Sequence, residues 1–262
     1  MKESPILHYR QEGDGFPLII LHGLFGSSRN WQSIAKQYAG TFQVISVDAR
    51  CHGQSFHNAD MNYDCMSDDV IRLMDSLGLE KCHLLGHSMG GKTAMAVSVK
   101  ENERISKLLL VDIAPIVYRH SHDHLIDPIL ALDLDGISNR ADADRILSEK
   151  VIDAQLRSFL LHNLVRNDGQ WQWQVNWSSI KFNMNKLLGE PVDGDKWQVR
   201  SPTLVISGAK SDYVNSDAEV AFKKHFLQLQ YQKIDGAGHW LHAEKPELFL
   251  HYTLAFLNNT AS

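Results

Sequence analysis

The sequence predicts an α/β fold in which a mostly parallel central sheet, flanked by helices, is interrupted by a helical insertion. Short runs rich in Val, Ile and Leu alternate with helical patterns along the first half, as parallel strands joined by crossover helices require. The same alternation returns after Ser201. Residues 115–200, by contrast, hold no run that reads as a buried strand.

In the first half, "PLIILHG" (17–23), "FQVISVD" (42–48), "KCHLLGH" (81–87) and "SKLLLVDIA" (106–114) are apolar on both faces, as central strands covered by helices on both sides should be. Between them "NWQSIAKQYA", "MSDDVIRLMDSLG" and "GGKTAMAVSVK" repeat apolar residues at three- and four-residue intervals. The second of these helices is expected to open on a Ser67 cap and close on Gly78. Later, "SPTLVISG" (201–208) reads as a strand, "DAEVAFKKHF" as a helix, "LQYQKID" as a strand and "KPELFLHYTLAFLN" as the closing helix. The periodicity of "DADRILSEKVIDAQLRSFLLHNLV" makes the insertion a small, mainly helical cap over one end of the sheet. One domain is therefore expected, with a core of residues 1–114 plus 201–262 and a cap of 115–200.

Composition narrows the function. The chain of 262 residues is 44% hydrophobic and carries a net charge of 26 − 31 = −5, so it has no basic field to attract nucleic acid. No apolar run reaches the roughly 20 residues of a membrane span, and "MKESPILHYRQEGDG" lacks the apolar centre of a signal peptide, which makes the cytoplasm the expected location. Cys51, Cys65 and Cys82 lack CxxC spacing, suggest neither a disulfide framework nor a zinc site, and are expected to be reduced.

Chemistry concentrates at "KCHLLGHSMGGKTAMAV" (81–97), where Gly86, Gly90 and Gly91 crowd around Ser88. Gly86-His87-Ser88-Met89-Gly90 fits G-x-S-x-G at a strand-to-helix join, a sharp turn that lifts a serine hydroxyl clear of the sheet. A Cβ at the flanking positions would strike a neighbouring element, which is why glycine stands there. A serine needs a base to take its proton and an acid to orient that base. His239 in "IDGAGHWLHAEKP" follows a strand on a glycine-loosened loop and is the best-placed base, ahead of His242, expected to face elsewhere from the last helix, and His251, a helix-surface or packing residue. Two strand ends offer the acid, Asp112 in "LLLVDIAP" and Asp212 in "ISGAKSDYV", and the residues alone leave both open.

Together "LHGLFGSSRNW", "VDARCHGQS", "LLGHSMGGKTAM", "LLLVDIAPIVY" and "GAGHWLHAEKP" resemble the α/β-hydrolase superfamily, and more closely its small bacterial esterases of the YbfF type. The resemblance covers both halves of the core and is weak in the cap. It implies that the "VDIAP" aspartate, Asp112, is the catalytic acid, leaves Asp212 as rival, and makes Ser211 a polar support. Donors for an oxyanion are expected from the amides of Leu24 and Met89, with Phe25 as a rival to Leu24. His22 is read as a brace for backbone, and Asp48 and Arg50 as ties within their loop. "HSHDH" (120–124) reads as a solvated loop without a convincing metal-ligand set, and "WQWQVNW" as aromatics packing the cap on the core. Phe25 and Trp240 are the expected substrate contacts.

The expected activity is hydrolysis of a small acyl ester or thioester by Ser88, His239 and Asp112, with no cofactor, no metal, no nucleic acid and no stable membrane association. Carbon–carbon bond hydrolysis or acyl transfer by the same residues is the alternative. A non-catalytic ligand receptor is the third reading.

Overall fold

The computed structural model describes residues 5–259. The chain enters through β1 (Tyr9–Glu12) and β2 (Phe16–Leu21), then alternates α1 (Gln32–Tyr38), β3 (Phe42–Val47), α2 (Tyr63–Ser76), β4 (Cys82–His87), α3 (Met89–Lys100) and β5 (Ile105–Val111). From β5 it leaves the sheet for α4 (Asp123–Leu130), α5 (Arg140–Leu147), α6 (Ala154–Leu161), β6 (Leu164–Asn167), β7 (Gln170–Trp173) and α7 (Trp177–Leu188). It returns as β8 (Thr203–Gly208), α8 (Ser216–His225), β9 (Leu229–Ile234), α9 (Leu241–Glu244) and α10 (Pro246–Asn258). The seven strands of the main sheet lie in the order β1-β3-β2-β4-β5-β8-β9, with β1 antiparallel and every other pairing parallel. This is the α/β-hydrolase architecture that the sequence motifs imply.

Burial follows the apolar runs. Leu18, Ile19, Val44, Ile45, Leu84, Leu85, Leu108 and Leu109 are wholly buried, because the middle strands are covered on both faces. One layer of core joins Val70, Leu73, Ala94 and Met95 to the sheet, and the other joins Trp31, Ile34, Phe249 and Leu257. A third cluster lies off the sheet edge, where Leu125, Ile126, Leu160, Trp177, Ile180 and Leu187 pack against Phe25, Met61, Met66 and Met89. The segment between β5 and β8 is thus seated on the C-terminal ends of β2 and β4.

The structure adds to or departs from the sequence reading at four places. Helix α2 begins four residues before Ser67, with Asn62 accepting the Cys65 amide as its cap, because Tyr63 and Met66 belong to the buried face; Ser67 instead turns inward and its hydroxyl donates to the Asp64 carbonyl. Strand β1 was not expected, being four residues on an edge, three half-buried and one exposed. The insertion, expected to be mainly helical, also holds a hairpin, β6 and β7 pairing across Asp168-Gly169, both at positive φ. The last helix is preceded by the separate turn α9, which carries His242 inward to stack on Trp31 at 4.2 Å.

Helix α3 approaches the sheet so closely that only glycine fits. A Cβ on Gly90 would fall within 3.0 Å of the carbonyl oxygens of Leu21 and His22, and one on Gly86 would meet Gly90 and Gly91 backbone at similar range. In an ordinary helix, Gly→Ala stabilises by about 1 kcal/mol. Here Gly90→Ala is expected to do the reverse, lowering stability by about 2 kcal/mol or more because backbone must move; urea denaturation of the variant and the parent measures the sign.

Candidate active site

Five strand ends converge on one edge of the sheet, where open α/β sheets bind ligands. The loop after β2 carries Gly23, Leu24 and Phe25; β4 leads into Ser88; β5 ends one residue before Asp112; β8 leads to Ser211; and β9 leads to His239. Three of these residues adopt a backbone that side chains ordinarily avoid: Phe25 at φ 64°, Ser88 at φ 52° and Asp112 at φ 49°. Such strain persists only where surrounding structure holds it, and here it gathers at one site.

Asp112 is wholly buried at the centre of a hydrogen-bond set. Its Oδ2 accepts from His239 Nδ1 at 2.6 Å and from the Ser211 hydroxyl, while Oδ1 accepts from the Gly208 amide at 3.1 Å. Desolvation of a carboxylate is expensive unless such partners meet it. Asp212, the rival acid, is exposed and contributes none of these bonds; the direction of the β8 loop turns Ser211 inward and its neighbour out. The imidazole of His239 is held from one face by Tyr213, whose ring stacks on it at 4.2 Å and 19°. Its backbone carbonyl accepts from His87 Nε2 at 2.9 Å. Ser88 and His239 line the same pocket, and among the described residues no hydrogen bond yet joins the serine hydroxyl to the imidazole. Such contacts often tighten only when substrate arrives.

The amide hydrogens beside Ser88 divide into free and engaged. Phe25 N–H donates to His52 Nε2 at 3.2 Å, so the rival donor is already occupied. Among the described residues no protein acceptor takes the N–H of Leu24 or of Met89, the first residue of α3. His52 Nδ1 lies 3.0 Å from the Arg50 carbonyl and donates to it, which leaves Nε2 bare to accept from Phe25. His22 repeats the pattern, donating from Nδ1 to the Gly23 carbonyl at 2.8 Å and accepting the Ala49 amide on Nε2 at 3.0 Å. Both rings must be neutral to do this. Burial lowers the His22 pKa against the pull of Asp48, and burial with the neighbouring His22 pushes His52 down to about 3. Asp48 and Arg50 tie their loop as read: Asp48 accepts from the Ser28 and Gln54 amides, and Arg50 makes a two-pronged pair with buried Asp69.

The pocket measures about 370 Å³. Leu24, Phe25, Leu125, Leu156, Phe159 and Trp240 form an apolar side, and both expected substrate contacts, Phe25 and Trp240, are among them. His120, His122, His124 and Tyr213 also line it, with His122 against the Phe25 ring at 5.7 Å, so "HSHDH" is pocket wall rather than only solvated loop. His120 and His122 meet Nε2 to Nε2 at 3.1 Å. His242 also lines the pocket. Trp177 packs on Phe25 at 5.0 Å and Trp173 on Trp177, so two of the "WQWQVNW" aromatics serve packing. His52, His87 and Tyr213 are the site residues that sequence reasoning missed. All three lie inside quoted motifs, yet nothing in their spacing signals a partner so far along the chain.

A family profile described as alpha/beta hydrolase fold matches residues 17–246. The chain belongs to that family. It is 36% identical to the sn-1-specific diacylglycerol lipase ABHD11 of Danio rerio over 94% of this chain and 80% of the relative. It is 34% identical to Esterase YbfF of Escherichia coli over 93% of both chains. A solved structure named as a marine microorganism esterase superposes with a TM-score of 0.93 and 38% identity, over 97% of this chain and all of the other. No helix among the described residues is long and apolar enough to cross a membrane.

The neutral buried imidazoles carry a cost in acid. A ring whose folded pKa lies below its unfolded value of about 6.5 binds its proton more readily unfolded, so stability is full above that value and is lost as pH falls towards the folded pKa. For His52 and His242, both held near 3 by burial, the window runs from about 6.5 down to about 3. Unfolding free energies from urea titrations are expected to fall from pH 6.5 to pH 4, by up to about 1.4 kcal/mol per pH unit for each such ring. His52→Gln should flatten that slope; an unchanged slope would show that His52 is not neutral in the folded state.

Proposed function

We propose that the protein is a serine hydrolase that cleaves carboxylic esters or acyl thioesters through an acyl-enzyme. The observation that carries this reading is the wholly buried Asp112 carboxylate bonded to His239 Nδ1 at 2.6 Å, at the pocket that Ser88 enters from its strained turn. Asp112 fixes the tautomer with Nδ1 protonated, so Nε2 is free to take the Ser88 proton. Ser88 Oγ attacks the acyl carbon, and the developing oxyanion accepts from the free N–H groups of Leu24 and Met89. His239 then protonates the leaving alcohol or thiol, and later takes a proton from the water that releases the acid. The relatives named as an esterase and a diacylglycerol lipase support an ester bond as the target.

In this reading residues 115–200 act as the cap over a core of 1–114 plus 201–262. Leu125, Leu156 and Phe159 of the cap, with Phe25 and Trp240 of the core, receive the acyl chain.

Two measurements decide the assignment. Ser88→Ala should retain the fold and less than about a hundredth of wild-type kcat on p-nitrophenyl esters. A fluorophosphonate probe should label the parent and spare this variant; labelling of another residue would move the nucleophile. For the acid, Asp112→Asn should lower kcat by about 10³- to 10⁴-fold, because an amide cannot both hold the reactive tautomer and stabilise the imidazolium. Asp212→Asn should change kcat by less than about threefold, and the opposite ranking would make Asp212 the acid.

A further inference from the structure

Lys92 sits one turn into α3, 1% exposed, where a cation is costly. Its ammonium donates to the Ile116 carbonyl at 2.7 Å, to the Leu188 carbonyl at 3.3 Å and to the Gly189 carbonyl. Ile116 stands where the chain leaves the sheet after β5, and Leu188 and Gly189 where α7 ends before the chain returns. One side chain thus holds both ends of the excursion. The last carbonyls of a helix lack intrahelical partners and carry partial negative charge, so a buried ammonium is an apt cap for α7. Tyr63, at the start of α2, adds to the same cap by donating its hydroxyl to the Leu187 carbonyl. The ammonium also lies over the Tyr118 ring at 4.6 Å from its centre.

From this anchor, contacts run to the reacting groups. The Tyr118 hydroxyl accepts the Ala114 amide and donates to the Tyr213 carbonyl, and Tyr213 is the ring stacked on His239. A small cavity of about 30 Å³ is lined by Lys92, Tyr118 and Leu188 together with Ser88, Leu24 and Met89. Moving either end of the excursion would reshape this cavity and, through His120 and His122 just beyond Tyr118, the pocket wall. Burial pushes the Lys92 ammonium down to about 7 against the pull of Glu190, which measures how unfavourable the placement is for a residue with filling as its only task.

We propose that Lys92 is a positioning residue that fastens both ends of the cap to the helix following Ser88 and thereby sets acyl-chain selectivity. The proposal rests on the hydrolase reading for its substrate and on geometry alone for its clamp, so the test has two arms. In the first, hydrogen exchange is followed by mass spectrometry in peptides covering 113–119 and 186–192. Lys92→Met, which keeps bulk and removes the donors, should raise exchange at least about tenfold in both peptides. In the second, kcat/KM is compared for p-nitrophenyl octanoate and acetate. The octanoate-to-acetate ratio should fall about tenfold in Lys92→Met, and in the same direction but less in Tyr63→Phe, a milder variant that serves if the first does not fold. Loss of folded protein scales both esters alike and leaves the ratio where it was. Exchange unchanged at either end, or an unchanged ratio, overturns the proposal. If the parent cleaves neither ester, the hydrolase reading falls while the exchange arm still decides the clamp.

Discussion

No side chain fits between the first turn of α3 and the strand ends beneath it, and this absence governs the site. Gly86, Gly90 and Gly91 let the helix axis come down onto the ends of β2 and β4, and the connection between strand and helix has then to be made in a single residue. That residue is Ser88, bent to φ 52°. The turn exposes its hydroxyl and leaves the Met89 amide unspent at the helix start, so the proposed nucleophile and the proposed oxyanion donor follow from one packing event. On the far side of the turn Gly23 obeys the same limit, since a Cβ there would strike the His87 ring.

Around this turn the protein keeps its charges few. Burial holds His22, His52, His87 and His242 towards the neutral form, and each ring serves as a fixed donor, acceptor or packing surface rather than as an ion. The Asp112 carboxyl, by contrast, is met by imidazole, hydroxyl and amide together.

Local chemistry was legible in the sequence where one segment contained its own reason. The glycines around Ser88 announce a steric limit, and the alternation of strand and helix announces the sheet. That Asp112 and not Asp212 meets His239 was not legible from their surroundings, since both follow strands; it turns on which way each leaves its strand end, a property of β5 and β8 lying side by side. Asn62 was overlooked as the α2 cap because Ser67 is an equally good capping residue by type, and only tertiary burial of Tyr63 and Met66 extends the helix past it. The β6–β7 hairpin did carry a signal, Asp168-Gly169 between aromatic and branched residues, and the helical rhythm on its N-terminal side masked it. His52 had no local signal at all, because its partner at Phe25 comes from a different strand end.

The ammonium of Lys92, by joining Ile116 to Leu188 and Gly189, closes the whole excursion from the sheet into a loop whose two ends share one fixed point. Closure entropy grows only with the logarithm of loop length, so each doubling of what lies between costs about 0.6 kcal/mol more. The sheet is therefore almost indifferent to the size of the segment it carries. The segment between β5 and β8 can change by insertion or exchange of whole helices while the register of those two strands stays as it is, which makes that segment the exchangeable part of the fold and the sheet the fixed mechanical part.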